Sequence, residues 1–294
     1  DIVERYLATM PENRTINIAF FGGSFTGLSI DLQEEYLKEA FGFVKNGKIS
    51  GIRLSTRPDY INEEVLELLK NYGVTTIELG AQSTNREVLN ESGRGHTFED
   101  IRNASNLICN YGFELGLQMM IGLPGDNYDR SIQTANDIVS LGAGNTRIYP
   151  AIIVKGTALE KLYRKGEYIP LTLEQAVEWT KDIVHIFEEN NVSIIRMGLH
   201  PSDELVIGKS LIDGPFHASF KEIVMTHIWK EIIDTELQRI SSSSSNKINI
   251  TVSDRQLHYA IGYRQANKEL LKSRGYNVSF TRNPSFSQYQ LNIG

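Results

Sequence analysis

The chain has 294 residues, 40% of them hydrophobic, enough for one large domain and a smaller second one around a substantial buried core. Its net charge of −6, from 30 basic and 36 acidic residues, argues against a whole surface built for nucleic acid. No apolar run reaches the roughly 20 residues of a membrane-spanning helix, and the single cysteine, Cys109, excludes an internal disulfide, so a reducing, cytoplasmic setting without a membrane is expected.

Strand and helix patterns alternate from the start. A short amphipathic helix over Asp1–Thr9 precedes a β-branched and aromatic run, Ile16–Phe21. Helical spacing over Asp31–Val44 follows, then a strand at Gly51–Ser55 and a helix at Asn62–Tyr72 that Gly73 stops. A strand at Thr75–Leu79 leads to a helix at Phe98–Tyr111, and a strand at Glu114–Ile121 leads to a helix at Tyr128–Leu141. The strand Thr146–Tyr149, helices near Ala158–Arg164 and Leu173–Asn190, and the strand Ser193–Met197 complete residues 1–200. Six strands alternating with helices of this length predict a parallel sheet covered by helices. The chain opens on a helix, so a βα-repeat reading expects a further strand and its loop upstream of Asp1.

Residues 201–240 read as a helical extension dominated by a long helix over Pro215–Ile240. The run Ser241–Ser245 is the best linker candidate. Residues 241–294 read as a small α/β domain, with strands at Ile248–Val252 and Tyr276–Thr281 around helices near Asp254–Ile261 and Gln265–Ser273. This tail has seven basic and two acidic residues, a net charge of +5 that leaves −11 for the rest, so the two parts are suited to different partners.

Polar or glycine-rich groups recur at strand ends. Gly22-Gly23-Ser24 follows the first strand, where glycines either let the backbone approach a charged ligand or only make a tight turn. Ser55-Thr56-Arg57-Pro58-Asp59 offers hydroxyls to a sugar and a guanidinium fork to a carboxylate, or simply starts the next helix. Glu78-Leu79-Gly80-Ala81-Gln82-Ser83 is unusually polar for a position that only packs. Met119, Met120 and Ile121 form an apolar edge before Gly122-Leu123-Pro124-Gly125, suited to a flat ring or to a buried strand and turn. Arg147-Ile148-Tyr149-Pro150 ends a strand in an aromatic. All five fall at the carboxyl ends of successive strands, the edge where α/β barrels place ligands.

Gly22-Gly23-Ser24 resembles the glycine motif with which radical S-adenosylmethionine (SAM) proteins bind the SAM amino group. Ser55–Asp59, Glu78–Ser83, Arg94-Gly95-His96-Thr97, and Tyr149-Pro150 followed by Lys155-Gly156-Thr157 resemble the Elongator catalytic subunit in order and spacing. The resemblance covers Asn17 to about Met197. It implies a partial (βα)6 TIM-like barrel of the radical SAM type, a [4Fe–4S] cluster with its reductant, and reductive cleavage of SAM to a 5′-deoxyadenosyl radical. It also implies that Gly22, Gly23 and Ser24 hold the SAM methionine, that Ser55 and Arg57 with Glu78 and Gln82 lie near its ribose and carboxylate, and that Ile121 and Tyr149 border the adenine. By the same analogy the substrate is an RNA base, in tRNA. Radical chemistry on a small molecule or tetrapyrrole, or a non-catalytic SAM- or RNA-binding module, stay open.

The family's C-x-x-x-C-x-x-C loop has no counterpart here, so cluster ligands are expected upstream of Asp1, and Cys109 is expected as a small core residue. The acetyltransferase domain of the Elongator subunit also has no counterpart, so the nearer relatives are expected among short bacterial forms. No zinc-ligand spacing is present, and His96, His200 and His217 either line a substrate mouth or are loop residues in water. Gly262-Tyr263-Arg264-Gln265 between the two tail helices is similar to the helix–loop–helix of KH RNA-binding domains, but Gln265 stands in place of the second glycine, and a small α/β cap on the barrel is the reading that comes first. Arg264 and Lys268 are the RNA-contact candidates.

Overall fold

The computed structural model describes residues 2–10, 14–202, 205–206, 208–240 and 246–294, so the serine run lies outside the described residues. In chain order the elements are α1 (Ile2–Leu7), β1 (Asn17–Phe20), α2 (Ile30–Lys45), β2 (Gly51–Thr56), α3 (Glu63–Asn71), β3 (Val74–Gln82), α4 (Arg86–Glu91), α5 (Phe98–Asn110) and β4 (Glu114–Ile121). They continue with α6 (Tyr128–Ser140), β5 (Asn145–Pro150), β6 (Ile153–Val154), α7 (Ala158–Arg164), α8 (Leu173–Glu189), β7 (Ser193–Met197), β8 (Leu211–Asp213) and α9 (Phe220–Arg239). The last five are β9 (Lys247–Ser253), α10 (Leu257–Ile261), α11 (Ala266–Ser273), β10 (Asn277–Asn283) and β11 (Leu291–Ile293). Two compact units emerge, Asp1–Tyr149 with Ile186–Ile195, and Pro150–His185 with Arg196–Gly294.

The six expected strands form one sheet in the order β1-β2-β3-β4-β5-β7, parallel from β1 through β4. It curls into a half-barrel, the partial TIM-like barrel that the strand–helix alternation implies. The helices begin where side chains satisfy their first free N–H groups. Asn62 caps α3, Asn85 caps α4, Asn127 caps α6, and Thr97 with Asp100 forms a capping box on α5. Alternate residues of each strand point to opposite faces. On the outer face Ile52 and Leu54 of β2, Ile77 and Leu79 of β3, and Leu117 and Met119 of β4 are fully buried, as are the helix residues Leu66, Leu69, Ile101, Ile108 and Ile138.

The concave face is polar and layered. Lowest, Glu114 accepts hydrogen bonds from Thr76 Oγ1 at 2.8 Å and Asn145 Nδ2 at 2.6 Å. One layer up, Glu78 is 1% exposed and takes the guanidinium groups of Arg53 (2.6 Å) and Arg147, with Gln118 Nε2 donating at 3.1 Å. Gln118 also donates to Ser55 Oγ at 3.1 Å. Phe21 reaches across from the opposite edge, its ring 4.7 Å from the Arg147 guanidinium. Gly116 leaves room for this layer, since a Cβ there would lie 2.5 Å from Asn145 Oδ1 and 2.8 Å from Glu78 Cγ. Burial would raise the Glu78 carboxyl, but the Arg147 hydrogen bond and the charges of Arg147 and Arg53 hold it below its ordinary value.

The second unit has its own core. β9 lies between β10, parallel, and β11, antiparallel. Trp229 of α9 is fully buried and donates to Gln256 Oε1 at 3.0 Å. Thr226 Oγ1 on the same helix accepts from Tyr263 N at 2.7 Å, and Asn267 Nδ2 donates to the Thr226 carbonyl at 3.0 Å. The long helix begins at Phe220, not Pro215, because Gly214 takes φ +113 and the chain turns before His217 Nδ1 accepts from Ser219 N at 2.9 Å. The short β6–β8 pair and α4 are elements too brief for a periodicity to register.

Replacing Glu78 with Gln strips two buried guanidinium groups of their counter-ion, so a loss of about 3 kcal/mol is expected in urea unfolding at neutral pH. A depressed folded-state carboxyl adds stability that is full above the ordinary value of 4.5 and fades as pH falls through the lower folded value. The gap between parent and variant is therefore expected to narrow in acid. Equal stability at pH 7 would show that the carboxylate carries no such role.

Candidate functional site

The rim begins at the carboxyl end of β1. Gly22 adopts φ +107, a conformation that favours glycine, and a Cβ built on Gly22 or Gly23 meets nothing within 4 Å. Ser24 precedes a 3-10 turn at Phe25–Gly27 without capping it, so its hydroxyl stays available. Phe20 and Phe25 stack at 4.8 Å, and with Tyr36 they wall a cavity of about 350 Å³ that Gly23 and Ser24 also line. The backbone here is open to a ligand.

Of the other sequence candidates, Ser55 and Glu78 meet through Gln118 in the buried concave layer. Arg57 lies on the same face nearer the rim, but its fork is engaged: Nε and Nη2 donate to Asp59 Oδ1 and Oδ2 at 2.9 and 2.8 Å. That pairing raises the Arg57 pKa. Gln82 takes φ +65 where the β3–β4 register shifts, and Gly80 makes space for its amide, 2.7 Å from where a Cβ would stand. Tyr149, half-buried at the end of β5, stands two positions beyond Arg147 on the same strand. Ile121 is fully buried on the helix-facing side with Leu117 and Met119, so only its backbone borders the rim.

Arg53, Gln118 and Arg147 were not singled out as candidates. Their signal is a polar residue inside a parallel strand, where continuous apolar runs are the rule: Arg53 two positions from Ser55, Arg147 two from Asn145, and Gln118 alone between Leu117 and Met119. A further group comes from the loop after α4. The Arg94 guanidinium is half-buried, with Nη2 3.2 Å from Met120 Sδ of β4 and a buried Nε that has no partner among the described residues. Burial and the nearby Arg57 charge depress its pKa. His96 is 6% exposed, not in water; its Nε2 is 3.1 Å from the Ala81 carbonyl, and its Nδ1 is buried without a hydrogen-bond partner among the described residues. A carbonyl only accepts, so Nε2 carries the proton and Nδ1 presents a lone pair. Burial lowers the His96 pKa, and with the Arg57 and Arg94 charges it outweighs the hydrogen bond to the Ala81 carbonyl and the Asp59 charge, which raise it. The neutral ring is therefore favoured.

His200 is exposed with Nδ1 3.1 Å from Arg196 Nη2, and His217 is half-buried, its ring edge-on to Tyr263 at 5.4 Å. Arg264 is exposed over the Tyr263 ring at 5.3 Å, and Lys268 lies on α11 one turn further on. Arg274, Arg282 and Lys272 pair with Asp234, Asp254 and Glu269, whereas neither Arg264 nor Lys268 has an acidic partner among the described residues. Cys109 is exposed, which corrects its expected place in the core. The buried positions of α5 are Ile101, Ala104, Ser105 and Ile108, and a step of about 100° beyond Ile108 turns Cys109 outward. Among the described residues no group of three His, Cys, Asp or Glu is placed to hold a metal ion. No described helix is long and apolar enough to cross a membrane.

Comparison with known proteins agrees with this architecture. The chain is similar to the tRNA uridine(34) acetyltransferase of Methanocaldococcus jannaschii, 27% identical over 57% of this chain and 35% of that protein. It is also similar to human Elongator complex protein 3, 31% identical over 45% of this chain and 24% of the relative. The chain thus spans about a third or less of the length of these curated relatives. Its fold matches that of the archaeal Methanocaldococcus infernus Elp3 with an N-terminal deletion, at TM-score 0.68 and 24% identity over 78% of this chain and 57% of that one. The Radical SAM superfamily profile matches residues 1–138 and the Radical_SAM C-terminal domain profile matches residues 145–230, and the chain belongs to the radical SAM superfamily.

Proposed function

We propose that this chain binds SAM and an RNA substrate, of the tRNA class, for a radical SAM enzyme that modifies an RNA base. The observation that carries the proposal is the open glycine pair at the end of β1, above a polar concave face. The Gly22 and Gly23 carbonyls are suited to accept from the SAM ammonium, with the Ser24 hydroxyl beside them. Gln82 and Tyr149 stand on the same rim for the nucleoside end. The buried Glu78 layer keeps the floor rigid beneath them.

The SAM molecule therefore fits residues that are present. In this family a [4Fe–4S] cluster supplies the electron that cleaves SAM. It is held by cysteine thiolates, and the residues of this sequence do not fit it, because its one cysteine is exposed on the outer face of α5. The relatives' names support an RNA substrate, as does the unpaired positive charge of Arg264 and Lys268.

Gly23→Val tests the SAM site. The new side chain meets no protein atom within 4 Å of its Cβ, so the fold should be retained, but it obstructs the backbone a ligand must approach. SAM affinity by calorimetry is expected to fall at least about tenfold, or 1.4 kcal/mol. Unchanged affinity would reduce the glycine pair to a turn.

The RNA half is tested by replacing Arg264 and Lys268 together with Glu. Lysine and arginine release condensed counterions when they meet phosphates, so tRNA binding should fall steeply with salt. The double variant is expected to bind tRNA at least about tenfold more weakly near 0.1 M salt, with SAM affinity retained. Unchanged tRNA affinity, or none in the parent at low salt, would favour a small-molecule substrate.

A further inference from the structure

Around the turn between α10 and α11, aromatic rings and unbalanced cations alternate on the second unit. Tyr263 sits in the turn, half-buried, with the Arg264 guanidinium 5.3 Å from its ring centroid and the His217 ring edge-on at 5.4 Å. Its amide donates to Thr226 Oγ1, which anchors the turn to α9. One helical turn before Thr226 stands Glu222, whose charge acts on Tyr259 of α10, so both tyrosines border the same stretch of α9. The exposed His258 ring lies 3.9 Å from the Tyr259 ring. Arg255 comes three positions before His258, and Lys268 four positions after Arg264. Lys272, Arg274 and Arg282 are matched by Glu269, Asp234 and Asp254, whereas Arg255, Arg264 and Lys268 have no acidic partner among the described residues.

Cations alone would serve any polyanion, but the rings discriminate. A duplex stacks its bases on one another and shows a protein its phosphates and hydroxyls. An unpaired strand shows flat base faces, which stack on tyrosine and histidine rings while its phosphates meet lysine and arginine. We propose that the rings of Tyr259, Tyr263 and His258, with the cations of Arg255, Arg264 and Lys268, form a stacking surface for an unpaired segment of RNA rather than for a duplex. This rests on the RNA reading above and names the form of RNA held. His217 supports Tyr263 from its edge, since its Nδ1 is already occupied by the Ser219 amide. Burial and the Glu222 charge raise the Tyr259 phenol above its ordinary value, so that ring stays uncharged beside a phosphate. Packing against α9 accounts for the buried parts of the two tyrosines but not for the exposed His258 ring beside Tyr259.

The test gives the whole chain two probes, a short oligouridylate carrying 2-aminopurine and an RNA duplex with as many phosphates. Near about 0.1 M salt the unpaired strand is expected to bind at least about tenfold tighter than the duplex, with its 2-aminopurine fluorescence quenched by stacking. Tyr263→Leu combined with His258→Leu should remove both the preference and the quenching. Duplex affinity and the salt dependence of binding should stay as in the parent, because the phosphate contacts remain. Tyr263→Phe should keep the preference. A preference that survives the double leucine variant would overturn the proposal. Equal affinity of the parent for the two probes would also overturn it, and would leave the RNA reading standing with a duplex substrate. Binding to neither probe would sink the RNA reading itself and this surface with it. Should the double variant fail to fold, His258→Leu decides, since that ring is exposed: the preference should fall at least about threefold, and an unchanged preference overturns the proposal.

Discussion

A carboxylate buried between two guanidinium groups governs the concave face. Glu78 is 1% exposed, and its two oxygens are shared by Arg53 from β2, Arg147 from β5 and Gln118 from β4. No apolar residue could replace it without leaving two cations desolvated. Around this contact the neighbouring choices become intelligible. Gly116 is small because a Cβ would strike Asn145 and Glu78, and the Phe21 ring lies 4.7 Å from the Arg147 guanidinium that Glu78 holds. The half-barrel thus holds its curl by polar contacts on the inside and apolar ones on the outside.

That division explains what sequence reading reaches. The outer face is written in residues such as Ile52, Leu54, Ile77, Leu79, Leu117 and Met119, which make the strands and their order legible. Helix starts are equally legible through Asn62, Thr97 and Asn127, because capping is a local property. The glycine pair is visible because an open backbone after a strand is a short, contiguous signal. The Glu78 layer is not, since its members are 25 to 69 residues apart and only the sheet brings them together. Cys109 and Ile121 show the converse limit. One sits a single helical step off the buried stripe, and the other stands on the wrong side of a strand for its side chain to reach the rim.

Polar interiors of this kind separate two demands on one barrel. In the lower layers the Glu114 and Glu78 carboxylates are each met by buried donors, while Asn145 Oδ1 is buried without a hydrogen-bond partner among the described residues. The rim is left partly unmatched among the described residues, with an available Ser24 hydroxyl, an Arg94 Nε without a partner and an empty acceptor on His96. Unsatisfied groups are costly in a core and useful at a binding edge, where a ligand completes them.

The Thr226 contacts reach further than their size suggests. This one residue of α9 accepts from the Tyr263 amide through its hydroxyl and from Asn267 through its carbonyl, while Trp229 one turn later holds Gln256. The turn between α10 and α11 includes two consecutive non-glycine residues in left-handed conformation, Arg264 at φ 51 and Gln265 at φ 64. Such a turn persists only while its surroundings over-determine it. Its shape is thus lent to it by a helix that lies before the serine run in sequence. A fragment cut at that run would keep the basic residues yet lose the template that presents them, so charge and geometry in this tail are separable properties with separate owners.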